Sequence, residues 1–228
     1  MKKAIGIKII SIDLFRTIID IDQTPDMIYQ LFLKDNYSAE TAKEYQKKAV
    51  EIMDRTWEVS CTDGKIFKNI RTILEDTVTE LFGELKLNYD TKQAAVALTA
   101  DHSLKTIFPD AKPFLEQAGQ KYTVCLSTDC DVEMIENVDK IYPFDTLFVS
   151  EILKMYKLNP AFFQHVIKYY DVKPENILHI GDSKSDIIAP KQLGIRTCWL
   201  NRRNHQWDSA VKPDYEVNSL LEIPELLD

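Results

Sequence analysis

What constrains this chain most is an alternation. After residue 101, short apolar runs with strand character take turns with segments whose apolar residues recur every three or four positions. Residues 122–127 (YTVCLS), 145–150 (DTLFVS), 176–182 (NILHIGD) and 195–200 (IRTCWL) read as strands, and the stretches between them read as helices. Alternation at this spacing is the signature of a parallel sheet with helical crossovers. Near the N-terminus, IKIISID (residues 7–13) is apolar on both faces, as a strand buried in such a sheet must be. Between that strand and the rest lies a block with helical periodicity and no convincing strand. The expectation is an α/β, Rossmann-like parallel sheet core built from residues 1–22 and 102–228, with an all-α subdomain, residues 23–101, inserted between its first and second strands.

Composition excludes several classes. Hydrophobic residues make up 45% of the 228, enough for a core, so the chain is not a disordered one. The net charge of −8 speaks against a general nucleic-acid binder. No stretch is long and apolar enough to span a membrane, and the basic-then-apolar start is too short for a signal peptide. The four cysteines are widely spaced, with no CxxC pair, which argues against zinc. A cytoplasmic protein with buried free thiols is the expectation.

In an open α/β sheet, ligands bind beyond the carboxyl ends of the strands. The predicted first strand ends in Asp13; the second in Ser127, Thr128 and Asp129; the fourth in Gly181, Asp182 and Ser183, with Asp186 a turn later. The loop after the third carries Lys154 and Lys157. Carboxylates brought together repel and need a cation between them, and an all-oxygen ligand set suits magnesium. A lysine and hydroxyls at the same edge suit an anion. His179, inside a strand, reads as a satisfied core residue.

These four segments, SIDLFRTIID, LSTD, SEILKMYKLNP and ILHIGDSKSD, resemble in order the four motifs of the haloacid dehalogenase superfamily of phosphohydrolases. The helical block falls where many members carry a cap. The resemblance implies roles. Asp13 would be the nucleophile, forming an aspartyl-phosphate. Asp13, the backbone carbonyl of Phe15 and Asp182 would hold Mg2+ directly, and Asp186 through water. Ser127 would donate to a phosphate oxygen, and Lys157 would pair with Asp13 and the transferring group. Thr128 follows at the phosphate loop. In the cap, the loop around Gly64 makes Asp63 and Lys65 candidates for substrate contact. The implied function is a magnesium-dependent phosphatase acting on a small phosphorylated metabolite, with no nucleic-acid or membrane partner.

Several positions depart from that pattern. The phosphatases normally carry a second aspartate two residues after the nucleophile, and Phe15 stands there. Without that acid, leaving groups of low pKa should be favoured. An aromatic residue at this place is a trait of the dehalogenases proper, which attack carbon and use no metal. Those enzymes, however, lack an acid at the place of Asp182, use an arginine in the cap where this chain reads Ala42, Lys43, Glu44, and carry a tyrosine where Phe163 stands. Arg16, Thr128 and Leu158 replace a usual glycine, asparagine and proline. The alternatives are therefore a metal-independent 2-haloacid dehalogenase and a non-catalytic binding member.

Overall fold

The computed structural model describes residues 3–22, 26–60, 66–103 and 105–227. Its main sheet has six strands, all parallel, built from β1 (Ile9–Ile12), β4 (Thr123–Thr128), β5 (Leu147–Val149), β6 (Ile177–Gly181), β7 (Arg196–Leu200) and β8 (Tyr215–Val217), in the order β5-β4-β1-β6-β7-β8. Every residue of β1 and of β6 is buried, as an interior parallel strand requires. Two further strands, β2 (Ile19–Asp20) and β3 (Thr106–Ile107), form a small antiparallel ribbon of their own. Strands of two residues are too short to show alternation in a sequence, which is why the ribbon was not expected.

Two compact units emerge. The helical one comprises Asp22–Lys105 together with Cys130–Glu136. Its helices are α1 (Asp26–Leu33), α2 (Ala39–Ser60), α3 (Ile70–Leu85) and α4 (Thr91–Ser103). Helix α3 shows why the sequence folds this way. Its buried residues Ile70, Ile73, Leu74, Thr77, Val78, Leu81 and Phe82 follow the three-and-four spacing of one helix face. They share a core with Ile28, Phe32, Leu33, Ala42 and Ile52, in which the Phe32 and Phe82 rings meet edge to face at 5.2 Å.

The inclusion of residues 130–136 departs from the boundaries read in the sequence. The cause is Asp131, whose carboxylate accepts from Ile70 N at 2.7 Å and Arg71 N at 2.8 Å and so caps α3. An ion pair between Arg71 and Glu133 adds to the attachment.

The other unit contains the sheet and the helices α5 (Ala111–Ala118), α6 (Ser150–Leu153), α7 (Pro160–Tyr170), α8 (Ile188–Gln192) and α9 (Ile223–Leu226). Asn159 opens α7, accepting from Ala161 N, with Pro160 in the first turn. The helix buries Phe162, Phe163 and Val166 against Ile9, Cys125, Phe148 and Ile177 of the sheet. Cys125, Cys130 and Cys198 are buried free thiols. No described helix is long and apolar enough to cross a membrane.

Candidate active site

The register of the three central strands builds the site. Ile12 of β1 lies opposite both Leu126 of β4 and Ile180 of β6. The next residue on each strand, Ser127, Asp13 and Gly181, therefore lines up at the carboxyl edge of the sheet. Asp13 is held in the ladder by its N–H, which donates to Ile180 O at 2.9 Å. Asp182 follows directly. Beyond it, residues 184–186 form one 3-10 turn that returns Asp186 to the strand end. Gly181 is needed because Asp186 packs against it: a Cβ there would come within 2.2 Å of Asp186 Cγ.

Asp13, Asp182 and Asp186 each offer an oxygen, and these atoms lie within 4.8 Å of one another. Lys157 is buried among them, donating to Asp13 Oδ1 at 2.5 Å and also to Asp186 Oδ1. Lys154, by contrast, is exposed. Burial alone would lower the Lys157 pKa, but Asp13, Asp186 and Asp129 outweigh it and hold the ammonium charged. Burial raises Asp13 to about 6, with Lys157 pulling down and Asp186 pushing up. Burial, then Asp13 and Asp186, raise Asp182 to about 8. No hydrogen-bond donor among the described residues reaches the Asp182 side chain. For Asp186, burial is outweighed by Lys157 first and then His179, and its carboxyl sits below the ordinary range.

The raised values are the sign of a charge deficit. Three carboxylates face one buried lysine, with Arg16 and Lys157 only partly offsetting the repulsion on Asp182, and an oxygen-only cluster of this kind fits a hard divalent cation. Asp186 is different. Its Oδ1 takes Lys157 and His179, and its Oδ2 takes the N–H and hydroxyl of Ser183 at 3.0 and 2.6 Å. With both oxygens so engaged, it suits contact with a metal through water better than direct ligation.

Behind the carboxylates runs a buried polar chain. Ser11 lies opposite His179 in register, and its hydroxyl donates to Ser127 Oγ at 2.8 Å. His179 Nδ1 lies 2.8 Å from Ser11 Oγ, and Nε2 lies 3.0 Å from Asp186 Oδ1. An ionised carboxylate only accepts, so the ring presents an Nε2–H to it. Nδ1 then accepts, and it competes with Ser127 Oγ for the one Ser11 proton, so His179 is fully paired on its Asp186 side and joins the serine side of the site to the carboxylate side. Replacing it with leucine would leave Asp186 and Ser11 short of a partner. His179→Leu is expected to lose about 1–3 kcal/mol of stability, measured by urea denaturation; an unchanged midpoint would show the chain to be dispensable.

The remaining sequence candidates are placed as follows. Because Ser11 donates to it, Ser127 keeps its own O–H to offer elsewhere. Thr128 is fully buried, with no partner for its hydroxyl among the described residues. Phe15 is half-buried and pairs with Ile19 in an isolated bridge. Arg16 is exposed and left-handed at φ 61°, the conformation that explains a glycine preference there. Asp63 and Lys65 lie outside the described residues. Asp131, two residues beyond Asp129, has its carboxylate committed to capping α3.

Comparison with known proteins agrees with this geometry. A family model, haloacid dehalogenase-like hydrolase, matches residues 7–194. The chain belongs to the haloacid dehalogenase-like hydrolases. Among solved structures, this hydrolase is similar to YfnB from Bacillus subtilis, described as a HAD-hydrolase and bound to magnesium. That likeness has a TM-score of 0.80 and 19% identity, covering 96% of this chain and 98% of that one. It is similar also to the L-2-haloacid dehalogenase of Xanthobacter autotrophicus with chloropropionic acid covalently bound, with a TM-score of 0.78, 16% identity and coverage of 96% and 98%. At such identities the likeness concerns the fold. A curated relative, the pyrimidine 5'-nucleotidase YjjG of Escherichia coli (strain K12), is 36% identical over 52 residues, which is 22% of this hydrolase and 23% of that protein. The match thus spans about a quarter of the relative's length.

Proposed function

We propose that this hydrolase is a magnesium-dependent phosphatase that acts on a small phosphorylated metabolite through an aspartyl-phosphate on Asp13. The observation that carries the reading is Asp182, a half-buried carboxylate whose side chain meets no hydrogen-bond donor among the described residues, next to two more carboxylates and one lysine. A cation at that place resolves the repulsion. Asp13, the Phe15 carbonyl and Asp182 would hold magnesium directly and Asp186 through water, and the ion would supply positive charge against the transferring phosphoryl group.

The protein's own residues do the rest. Asp13, fixed by its backbone bond to Ile180, attacks phosphorus. Lys157 offsets the charge of both nucleophile and phosphate. Ser127 donates its hydroxyl proton to a phosphate oxygen, and the chain through Ser11 and His179 keeps that hydroxyl in place relative to Asp186. The helical unit, residues 23–101 in the sequence reading, would serve as a cap, with Asp63 and Lys65 as substrate contacts and Thr128 near the phosphate. Buried free thiols suit a cytoplasmic setting. The short match to a pyrimidine nucleotidase puts nucleoside monophosphates among the first substrates to try.

The test is a panel of phosphate esters with and without magnesium. Phosphate release that needs magnesium and stops on chelation is expected; a rate untouched by chelator would contradict the reading. Phe15 favours a second reading, a 2-haloacid dehalogenase. Halide release from 2-chloropropionate without metal would establish it.

A further inference from the structure

Phe15 leaves the proposed reaction without its usual proton donor, and the structure offers a replacement. Asp129 lies two residues beyond Ser127, where the chain leaves β4. Its Oδ1 accepts from the backbone N–H of Lys157 at 2.8 Å, which ties it to the same lysine that holds Asp13. That is its only hydrogen bond among the described residues, so Oδ2 has no protein partner. The residue is half-buried, two positions past the strand end that carries Ser127. The charged groups acting on it are Lys157, which pulls its pKa down, and Asp186 and Asp13, which push it up.

Charge balance sets its protonation state. Asp13, Asp182 and Asp186 carry three negative charges, which Lys157 and one divalent cation neutralise. Asp129 is a fourth carboxyl in the same field, and the cation that acts on it, Lys157, is already shared with Asp13 and Asp186. In the metal-free protein burial foremost raises its pKa to about 7, a direction that favours a carboxyl able to give and take a proton.

We propose that Asp129 is the general acid and base of this site, taking the part that Phe15 vacates; the inference rests on the phosphatase reading. Protonated Asp129 gives its proton to the ester oxygen as the bond from that oxygen to phosphorus breaks and the bond from Asp13 to phosphorus forms. The alcohol leaves neutral, and Asp129 is left ionised. It then takes a proton from a water as the water oxygen bonds to phosphorus and the Asp13–phosphorus bond breaks. Phosphate leaves, and Asp13 is again a carboxylate and Asp129 again an acid.

The test compares wild type, Asp129→Asn and Asp129→Glu on glycerol 2-phosphate and on p-nitrophenyl phosphate, whose leaving group needs little protonation. For Asp129→Asn, kcat/KM on the alkyl ester is expected to fall by about 10²-fold or more. The loss on the aryl ester should be at least tenfold smaller. Because the second step also lacks its base, the variant should release a burst of p-nitrophenol matching the enzyme present. In the wild type, kcat/KM on the alkyl ester should decline as pH rises and the acid form is lost, and the variant should lack that decline. Asp129→Glu, which keeps the acid, should recover part of the alkyl rate. Equal losses on both esters, or an unchanged alkyl rate, overturn the proposal. If the wild type hydrolyses neither ester nor any other phosphate, the phosphatase reading itself falls, and this inference with it.

Discussion

Lys157→Met should damage stability and turnover together. The lysine is 2% exposed and donates to two carboxylates that are themselves buried. Methionine matches its length and apolar stem but has no charge. Removing one partner of a buried ion pair leaves the other uncompensated, at about 3–5 kcal/mol. Here two carboxylates, Asp13 and Asp186, lose the same partner. Urea denaturation should show the loss. The same variant should lose turnover by about 10²-fold or more, because Lys157 is the buried cation bonded to the nucleophile itself. A Lys157→Met protein with a wild-type midpoint would mean that the buried carboxylates are neutral and that the charge balance derived above is wrong.

Asp13→Asn should separate the two properties. The nucleophile is removed, so turnover should fall by about 10⁴-fold or more. Stability in metal-free buffer should rise instead. Asp13 has its pKa raised from 3.8 to about 6, so ionising it near neutral pH opposes folding. The sign follows directly: the penalty is present above about pH 6 and disappears as pH falls toward 3.8, where both folded and unfolded states hold the proton. The variant should therefore melt above the wild type near pH 7.5 without metal, and the gap should close in acid. A variant that melts lower at pH 7.5 would show that the bond to Lys157 outweighs the repulsion among the carboxylates.

Much of this architecture was legible in the amino-acid sequence. The apolar runs before Asp13, Ser127 and Asp182 are strands in a parallel sheet, and the polar residues at their ends meet because parallel strands share one carboxyl edge. The choice between Lys154 and Lys157 was not legible. Three residues apart in an irregular loop, they differ only in which one the left-handed end of α6 turns inward. The link through His179 was hidden for another reason. Ser11 and His179 are far apart in the chain, and only the register of β1 against β6 sets them side by side. Once Asp13 is aligned with Gly181, the same offset puts Ser11 opposite His179, so the strand order was the missing piece. Asp129 and Asp131 are two acids just past the end of β4. Their hydrogen bonds send them apart, one to the Lys157 loop and one to the start of α3.

The central claim is a covalent phosphoryl group on Asp13, and it can be read directly. The protein is incubated with magnesium and a phosphate ester that it hydrolyses, quenched in acid during turnover, and digested, and the peptide carrying Asp13 is weighed. The account predicts one added phosphoryl group on that peptide. The label should be more abundant in Asp129→Asn, and absent from Asp13→Asn and from samples without magnesium. Sustained phosphate release with no phosphoryl group on that peptide in any of these samples would contradict it.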